Sequence, residues 1–196
     1  PMASRIAAAR EAIGDDVHLM LDANNAWRDL PTCLQYMAVY EKYNPYWIEE
    51  PFSPDDIDNH ARLAQRTPVP VATGEIEAGR WRFKELLDKE AAMILQTDAC
   101  VCGGVTDFRR IAATAASYGV TVCPHWFHDL HIHLVASTPN APYVEFFYDD
   151  QVLNFRKIVD NQLGFENGQL ILPDRPGLGF GFIAERIDEY AIDGWA

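Results

Sequence analysis

The sequence lacks any apolar run near the roughly eighteen residues of a membrane span, and its first residues show no signal-peptide pattern, so no membrane partner is expected. It also lacks basic residues. Sixteen Lys and Arg stand against 29 Asp and Glu, a net charge of −13, which speaks against nucleic acid as the main partner. An anionic substrate would need a local cation to offset that field, and a divalent metal would supply one. Cysteine is scarce: Cys33, Cys100, Cys102 and Cys123 are the only ones. Cys100 and Cys102 form a C-x-C pair, but no second pair follows at zinc-ligand spacing, so all four are expected to be packed, reduced thiols of a cytoplasmic protein. No glycine-rich phosphate loop follows the first strand, where Asp22-Ala23-Asn24-Asn25 stands instead. Gly177-Leu178-Gly179-Phe180-Gly181 comes after Pro173-Asp174-Arg175-Pro176 with no βαβ unit around it, and is read as a turn. A nucleotide-binding, doubly wound sheet is thereby disfavoured.

The 196 residues suffice for one sizeable core, and their 48% hydrophobic and 23% charged content is ordinary for a globular protein. Short apolar runs end on ionisable groups at Asp22, Glu49, Glu75, Asp98, His125 and Glu145, in steps of 27, 26, 23, 27 and 20 residues. Surface acids have no reason to keep such a rhythm, whereas strands whose C-terminal ends converge on one site do. Between the runs lie stretches with helical character. The opening helix spans Met2 to Ile13 and is stopped by Gly14; others run from Asp29 to about Lys42 and from a Ser53-Pro54-Asp55-Asp56 start to about Gln65. Three more cover Gly79–Lys89, Thr106–Tyr118 and Asp129–Ala136. Strands alternating with helices mean βα units around a parallel sheet, and strand runs apolar on both parities fit a sheet covered by helices. Beyond Glu145 the pattern changes to a hairpin about Asn167-Gly168 and a last helix from about Ile183 to Tyr190.

Asp22, Glu49 and Glu75 end three successive strands, and three converging carboxylates repel one another unless a hard cation sits between them. Each alone would more often be a helix or turn cap; matched strand ends favour the ligand reading. Asp98 and His125 end the next two strands, about 5 Å apart in a sheet, so the aspartate can fix the imidazole tautomer and raise its basicity, as a general base requires. Glu145 could then serve a developing oxyanion. His125, His128, His131 and His133 invite a zinc site, but the order of a zinc-protease helix is absent. Trp126, Phe127 and His128 are expected to line the mouth of the site, with His131 and His133 facing helix neighbours.

Taken together, Asp22-x-Asn24, Trp47-Ile48-Glu49-Glu50-Pro51, Thr73-Gly74-Glu75, Gln96-Thr97-Asp98 with Gly103-Gly104-Val105-Thr106, Pro124-His125 and Glu145 resemble the mandelate racemase subgroup of the enolase superfamily. The resemblance covers nearly the whole chain. It implies a (β/α)7β barrel in which Asp22, Glu49 and Glu75 bind Mg2+, Asn24 supports the site, His125 with Asp98 is the acid/base dyad and Glu145 is a partner to the enolate. Trp126 and His128 are assigned to substrate contact. The shared chemistry is removal of the proton α to a carboxylate, and many members of the subgroup are acid-sugar dehydratases. Dehydration of an acid sugar to a 2-keto-3-deoxy acid is therefore the expected activity, with racemisation or epimerisation of a 2-hydroxy acid the alternative.

Two features of that family are missing. An α+β capping domain and a pair of strands ahead of the one ending at Asp22, the second of which usually carries a Lys-x-Lys base motif, are expected to lie outside these 196 residues, which would then be the C-terminal portion of a longer enzyme. The chain is thus expected to be about six of eight barrel strands, with residues 1–150 forming a partial barrel and 151–196 a return segment packed on the barrel or on a capping domain. An incomplete barrel exposes sheet edges, so self-association is expected. A metal-binding fragment without activity of its own is the remaining alternative.

Overall fold

The computed structural model describes residues 2–148 and 154–192. Strands β1 (Leu19–Asp22), β2 (Pro45–Glu49), β3 (Val71–Thr73), β4 (Ile94–Leu95) and β5 (Thr121–Val122) form one parallel sheet in the order β1-β2-β3-β4-β5. Helix α1 (Met2–Ile13) precedes these strands, α2 (Leu30–Tyr40), α3 (Ile57–Ala64), α4 (Arg80–Asp88) and α5 (Val105–Ser117) connect them, and α6 (His128–Ala136) follows β5. This is an open section of a βα barrel, five strands wide.

Two short antiparallel strands, β6 (Gly164–Glu166) and β7 (Gln169–Ile171), make the expected hairpin about Asn167 and Gly168, and α7 (Ala184–Tyr190) follows. The expected boundary between residues 150 and 151 lies outside the described residues.

Local chemistry sets the element ends. Asp29 caps α2 by accepting the Thr32 N–H at 2.8 Å, with Pro31 in the first turn. Gly119, at φ +70°, closes α5, its N–H donating to the Ala116 carbonyl while Val120 N–H reaches back to Ala115. The start of α3 differs from the sequence reading. Ser53 takes part in a turn, its carbonyl accepting Asp56 N–H, and it is Asp56 that caps the helix through Asn59 N–H.

The sixth apolar run also differs. Residues 143–148 adopt no regular secondary structure and join no strand ladder. The only free N–H on the outer side of the two-residue β5 belongs to Val122, and the Asn140 carbonyl has taken it at 2.9 Å.

The core follows strand parity. Trp47, Ala72, Ile94 and Cys123, with Met20 and Tyr143 against them, fill the concave side. Leu19, Ile48 and Val71 turn to the convex side and pack under Met37 and Leu63 of the helices. Leu95 and Val122 do the same against Phe83, Phe108 and Ile111. A carboxylate two residues beyond a concave-side residue therefore stays on the concave side, at the strands' C-terminal ends.

Candidate active site

Asp22 follows Met20, Glu49 follows Trp47, Asp98 follows Ile94 by four residues and His125 follows Cys123, so all four inherit the concave face. Asp22 and Glu49 are register partners on β1 and β2. Glu75 needs an extra device. Gly74 has φ +118°, and a Cβ there would lie 2.9 Å from the Phe83 ring, so glycine bends the chain between β3 and the carboxylate.

The carboxylates are held by protein donors. Glu49 accepts the Trp47 indole N–H at 3.2 Å, and Asp22 accepts the Asn24 backbone N–H at 2.7 Å. Glu50, buried and at φ +40°, is turned away to the Asn25 amide at 3.1 Å. Burial pushes Glu49 up to about 8, with the charges of Asp22, Glu145 and Glu75 adding to the rise against a hydrogen bond from Gln96. Burial, then the Glu75 and Asp22 charges, push Glu50 to about 7. Glu75 is raised by burial and by the same crowd of acids, against the pull of His125. Mutual repulsion of this kind is relieved by a cation among the oxygens. Among the described residues no three His, Cys, Asp or Glu side chains already form a metal-holding group. The donor set of hard oxygens suits Mg2+ better than zinc or iron.

Opposite them stands the imidazole. His125 Nδ1 lies 3.1 Å from Asp98 Oδ2, and its Nε2 lies 3.8 Å from Glu75 Oε1. Burial pushes the Asp98 carboxyl up, but the His125 contact and the Cys100 N–H at 2.7 Å oppose it, and the carboxyl is held well below the ordinary carboxylate range. Burial lowers His125, and the Asp98 hydrogen bond with the Glu75 and Glu145 charges raises it further than burial lowers it. The arrangement can take a proton at Nε2 while Asp98 steadies the resulting imidazolium.

Glu145 Oε2 accepts the Trp126 backbone N–H at 2.5 Å, which ties the unpaired 143–148 segment to the loop after β5. The Trp126 ring stacks on His125 with centroids 5.5 Å apart, forming a wall of the site. A cavity of about 220 Å3 opens below, lined by Met20, Trp47, Glu49, Gln96, Tyr143 and Glu145. Asn24, at φ +46°, stands exposed on the rim.

His128 is not on that rim. It is buried at the start of α6, edge-on to Phe146 and 3.2 Å from Asp129, because the turn through Trp126 (φ +61°) and Phe127 (φ +27°) carries it beneath the wall. His131 does face a helix neighbour, Phe108 of α5, and its ring also bonds Ala99 N–H and the Trp126 carbonyl. His133 Nε2 contacts the Leu178 carbonyl. The sequence reading passed over His131, although its apolar neighbours Leu130 and Ile132 were a signal of burial.

Residues 2–186 match the enolase C-terminal domain-like family. The chain is 38% identical over 176 residues to the L-talarate/galactarate dehydratase of Salmonella typhimurium, which covers 90% of this chain and 43% of that protein. Its fold superposes with a TM-score of 0.86, at 35% identity, on an L-talarate dehydratase from a Polaromonas species complexed with Mg and L-glucarate; 94% of this chain and 50% of that one are covered. A 3,6-anhydro-D-galactonate cycloisomerase from Zobellia galactanivorans gives 0.89 at 35% identity, over 96% of this chain and 54% of that one. The chain spans about half the length of the curated relatives it matches. It belongs to the enolase C-terminal domain-like family, as residues 2–186 attest.

Proposed function

We propose that this member of the enolase family removes the proton α to the carboxylate of an acid sugar and then expels the β-hydroxyl, giving a 2-keto-3-deoxy acid. The observation that carries the reading is the His125–Asp98 pair, 3.1 Å apart, facing the carboxylates of Asp22, Glu49 and Glu75 across the concave face. Asp22, Glu49 and Glu75 are the residues that would hold Mg2+. Bound there, Mg2+ supplies positive charge for the substrate carboxylate and for the negative charge that develops on it.

The chain's own residues do the rest. His125 Nε2 takes the α proton, and the C–H electrons enter the carbon–carbon bond of the enediolate. Asp98 keeps Nδ1–H in place and offsets the imidazolium charge. As the enediolate collapses, the carbon–oxygen bond at the β position breaks, His125 returns its proton to the departing hydroxyl as water, and the enol tautomerises to the ketone. Glu145 is assigned to the developing oxyanion, with Trp126 closing the wall, and exposed Asn24 to a substrate hydroxyl. His128 packs edge-on against Phe146.

The relatives that act on talarate, galactarate and arabinonate favour dehydration of such sugar acids. The deciding experiment offers a panel of acid sugars with Mg2+ in deuterated buffer and follows keto acid and α-deuterium together. Keto acid bears the reading out. Deuterium uptake without keto acid assigns an isomerase, the class of the cycloisomerase relatives. Neither product, with Mg2+ bound, leaves a metal-binding portion of a larger enzyme.

Two further proposals complete the reading. The side of β1 away from β2 carries no strand among the described residues, which supports self-association across that edge; a monomer in solution scattering counts against it. Free thiols at Cys33, Cys100, Cys102 and Cys123 support a reducing, cytoplasmic setting. Among the described residues no helix is long and apolar enough to cross a membrane.

A further inference from the structure

We infer that His131 is a positioning residue for the Asp98–His125 pair, a neutral strut that ties the residue after Asp98 to the residue after His125. The inference rests on the dyad reading given above. The His131 ring is fully buried, stacked on Phe108 at a centroid distance of 6.2 Å. Ala99 N–H points at its Nε2 from 3.0 Å, and its Nδ1 lies 2.9 Å from the Trp126 carbonyl. A backbone N–H only donates and a carbonyl only accepts, so Nε2 carries the lone pair and Nδ1 the proton. Ala99 follows Asp98 and Trp126 follows His125, so one ring fixes both loops at the positions adjoining the pair.

The strut matters because the short strands cannot do this work. β4 ends at Leu95 and β5 at Val122, each three residues short of its functional side chain. Beyond those ends the chain passes through Trp126 at φ +61° and Phe127 at φ +27°, conformations that persist only where the surroundings hold them. His131 holds that turn twice, through its ring and through its own N–H to the Phe127 carbonyl at 2.9 Å. Asp98 Oδ1 lies 3.4 Å from Nε2 but is occupied by the Cys100 N–H at 2.7 Å, which leaves Oδ2 for His125. A core histidine that merely fills space would have no reason to bond both loops.

Substitutions separate the two tethers. His131→Asn keeps a donor near the Nδ1 position and loses the acceptor; His131→Gln keeps an acceptor near Nε2 and loses the donor; His131→Leu loses both. The first test needs no activity: imidazole 15N–1H correlation spectra of the native protein. A protonated Nδ1 and bare Nε2 on His131 at neutral pH are expected, and any other protonation pattern overturns the proposal. In the same spectra the His125 Nδ1–H, sheltered by Asp98, is expected to be visible in the native protein and lost in the Asn and Gln variants. Its persistence in both overturns the proposal, even if the Leu variant does not fold.

Turnover supplies the second test. A misplacement of about 1 Å costs on the order of 10²-fold, so kcat for α-proton exchange is expected to fall by that order in the Asn and Gln variants. KM is expected to stay within about twofold, because substrate contacts are untouched. A variant that loses thermal stability with kcat unchanged shows a structural role only and overturns the proposal. If the native protein exchanges no substrate proton while its spectra are as expected, the dyad reading fails and the strut stands.

Discussion

Trp47 donates its indole N–H to Glu49 Oε2 at 3.2 Å, two residues along the same strand. The contact decides between two adjacent acids. Trp47 packs on the concave side with Ala72, Ile94 and Cys123, and Glu49 shares its face. Glu50 is directed to Asn25 instead. Glu49→Gln is therefore expected to abolish the rise in unfolding temperature that Mg2+ produces, as are Asp22→Asn and Glu75→Gln, while Glu50→Gln keeps most of it. At a hundredfold excess over Kd the native protein should gain about 2.7 kcal/mol. Calorimetry with and without Mg2+ reads the difference, and a Glu49→Gln variant that still responds in full removes Glu49 from the ligand set.

Exchange of His125 for Asn removes the proposed base but none of the carboxylates proposed to hold the metal. Loss of a positioned general base lowers turnover by about 10²–10⁴-fold. Alpha-deuterium incorporation should fall by that order while Mg2+ still raises the unfolding temperature. Retained exchange in this variant would take His125 out of its role.

His60 gives the fold a pH dependence independent of the site. Its ring is buried against Phe52, Nδ1 lies 2.9 Å from the Asp56 carbonyl, and Nε2 has no partner. Burial lowers its pKa below 6.5, against smaller upward pulls from Asp56 and Glu77. Between the lowered folded value and the unfolded one, the unfolded chain binds more protons, so stability falls as pH drops below about 6.5. Urea midpoints of the native protein are expected to fall more steeply from pH 7.5 to 5.5 than those of His60→Gln. Parallel curves would assign the acid sensitivity elsewhere, to His128 for instance, which burial also lowers.

Gly74→Ala combines a positive φ of +118° with a Cβ placed 2.9 Å from the Phe83 ring. A residue forced into such a region costs about 1–3 kcal/mol. The variant should unfold at lower denaturant and bind Mg2+ more weakly, since the bend aims Glu75. Isothermal titration with Mg2+ separates the two effects; unchanged affinity would show that the bend serves packing alone.

Much of this was legible in the residues because period and parity are encoded locally. The six ionisable strand ends announced βα units, and the motif resemblance pointed to Glu49 rather than Glu50, a choice with which strand parity is compatible. What escaped depends on contacts between distant segments. The run through Tyr143 reads as a strand by composition, yet Asn140 occupies the donor it would need. Ser53 looks like a better cap than Asp56 until a turn enlists its carbonyl. His128 was expected at the mouth of the site and His131 against a helix neighbour; the positive φ angles at Trp126 and Phe127, which no propensity would suggest for aromatic residues, accompany the burial of His128 and the placing of His131 between two loops.

The strands lie side by side in the order in which the chain presents them, β1 to β5, with no crossover skipping a neighbour. During synthesis each strand therefore finds the edge it needs already made. Asp22 and Glu49 precede Asp98 along the chain, and Asp98 precedes the His125 that it contacts. A chain that stops short of His125 therefore carries Asp22, Glu49 and Glu75 without the base proposed above.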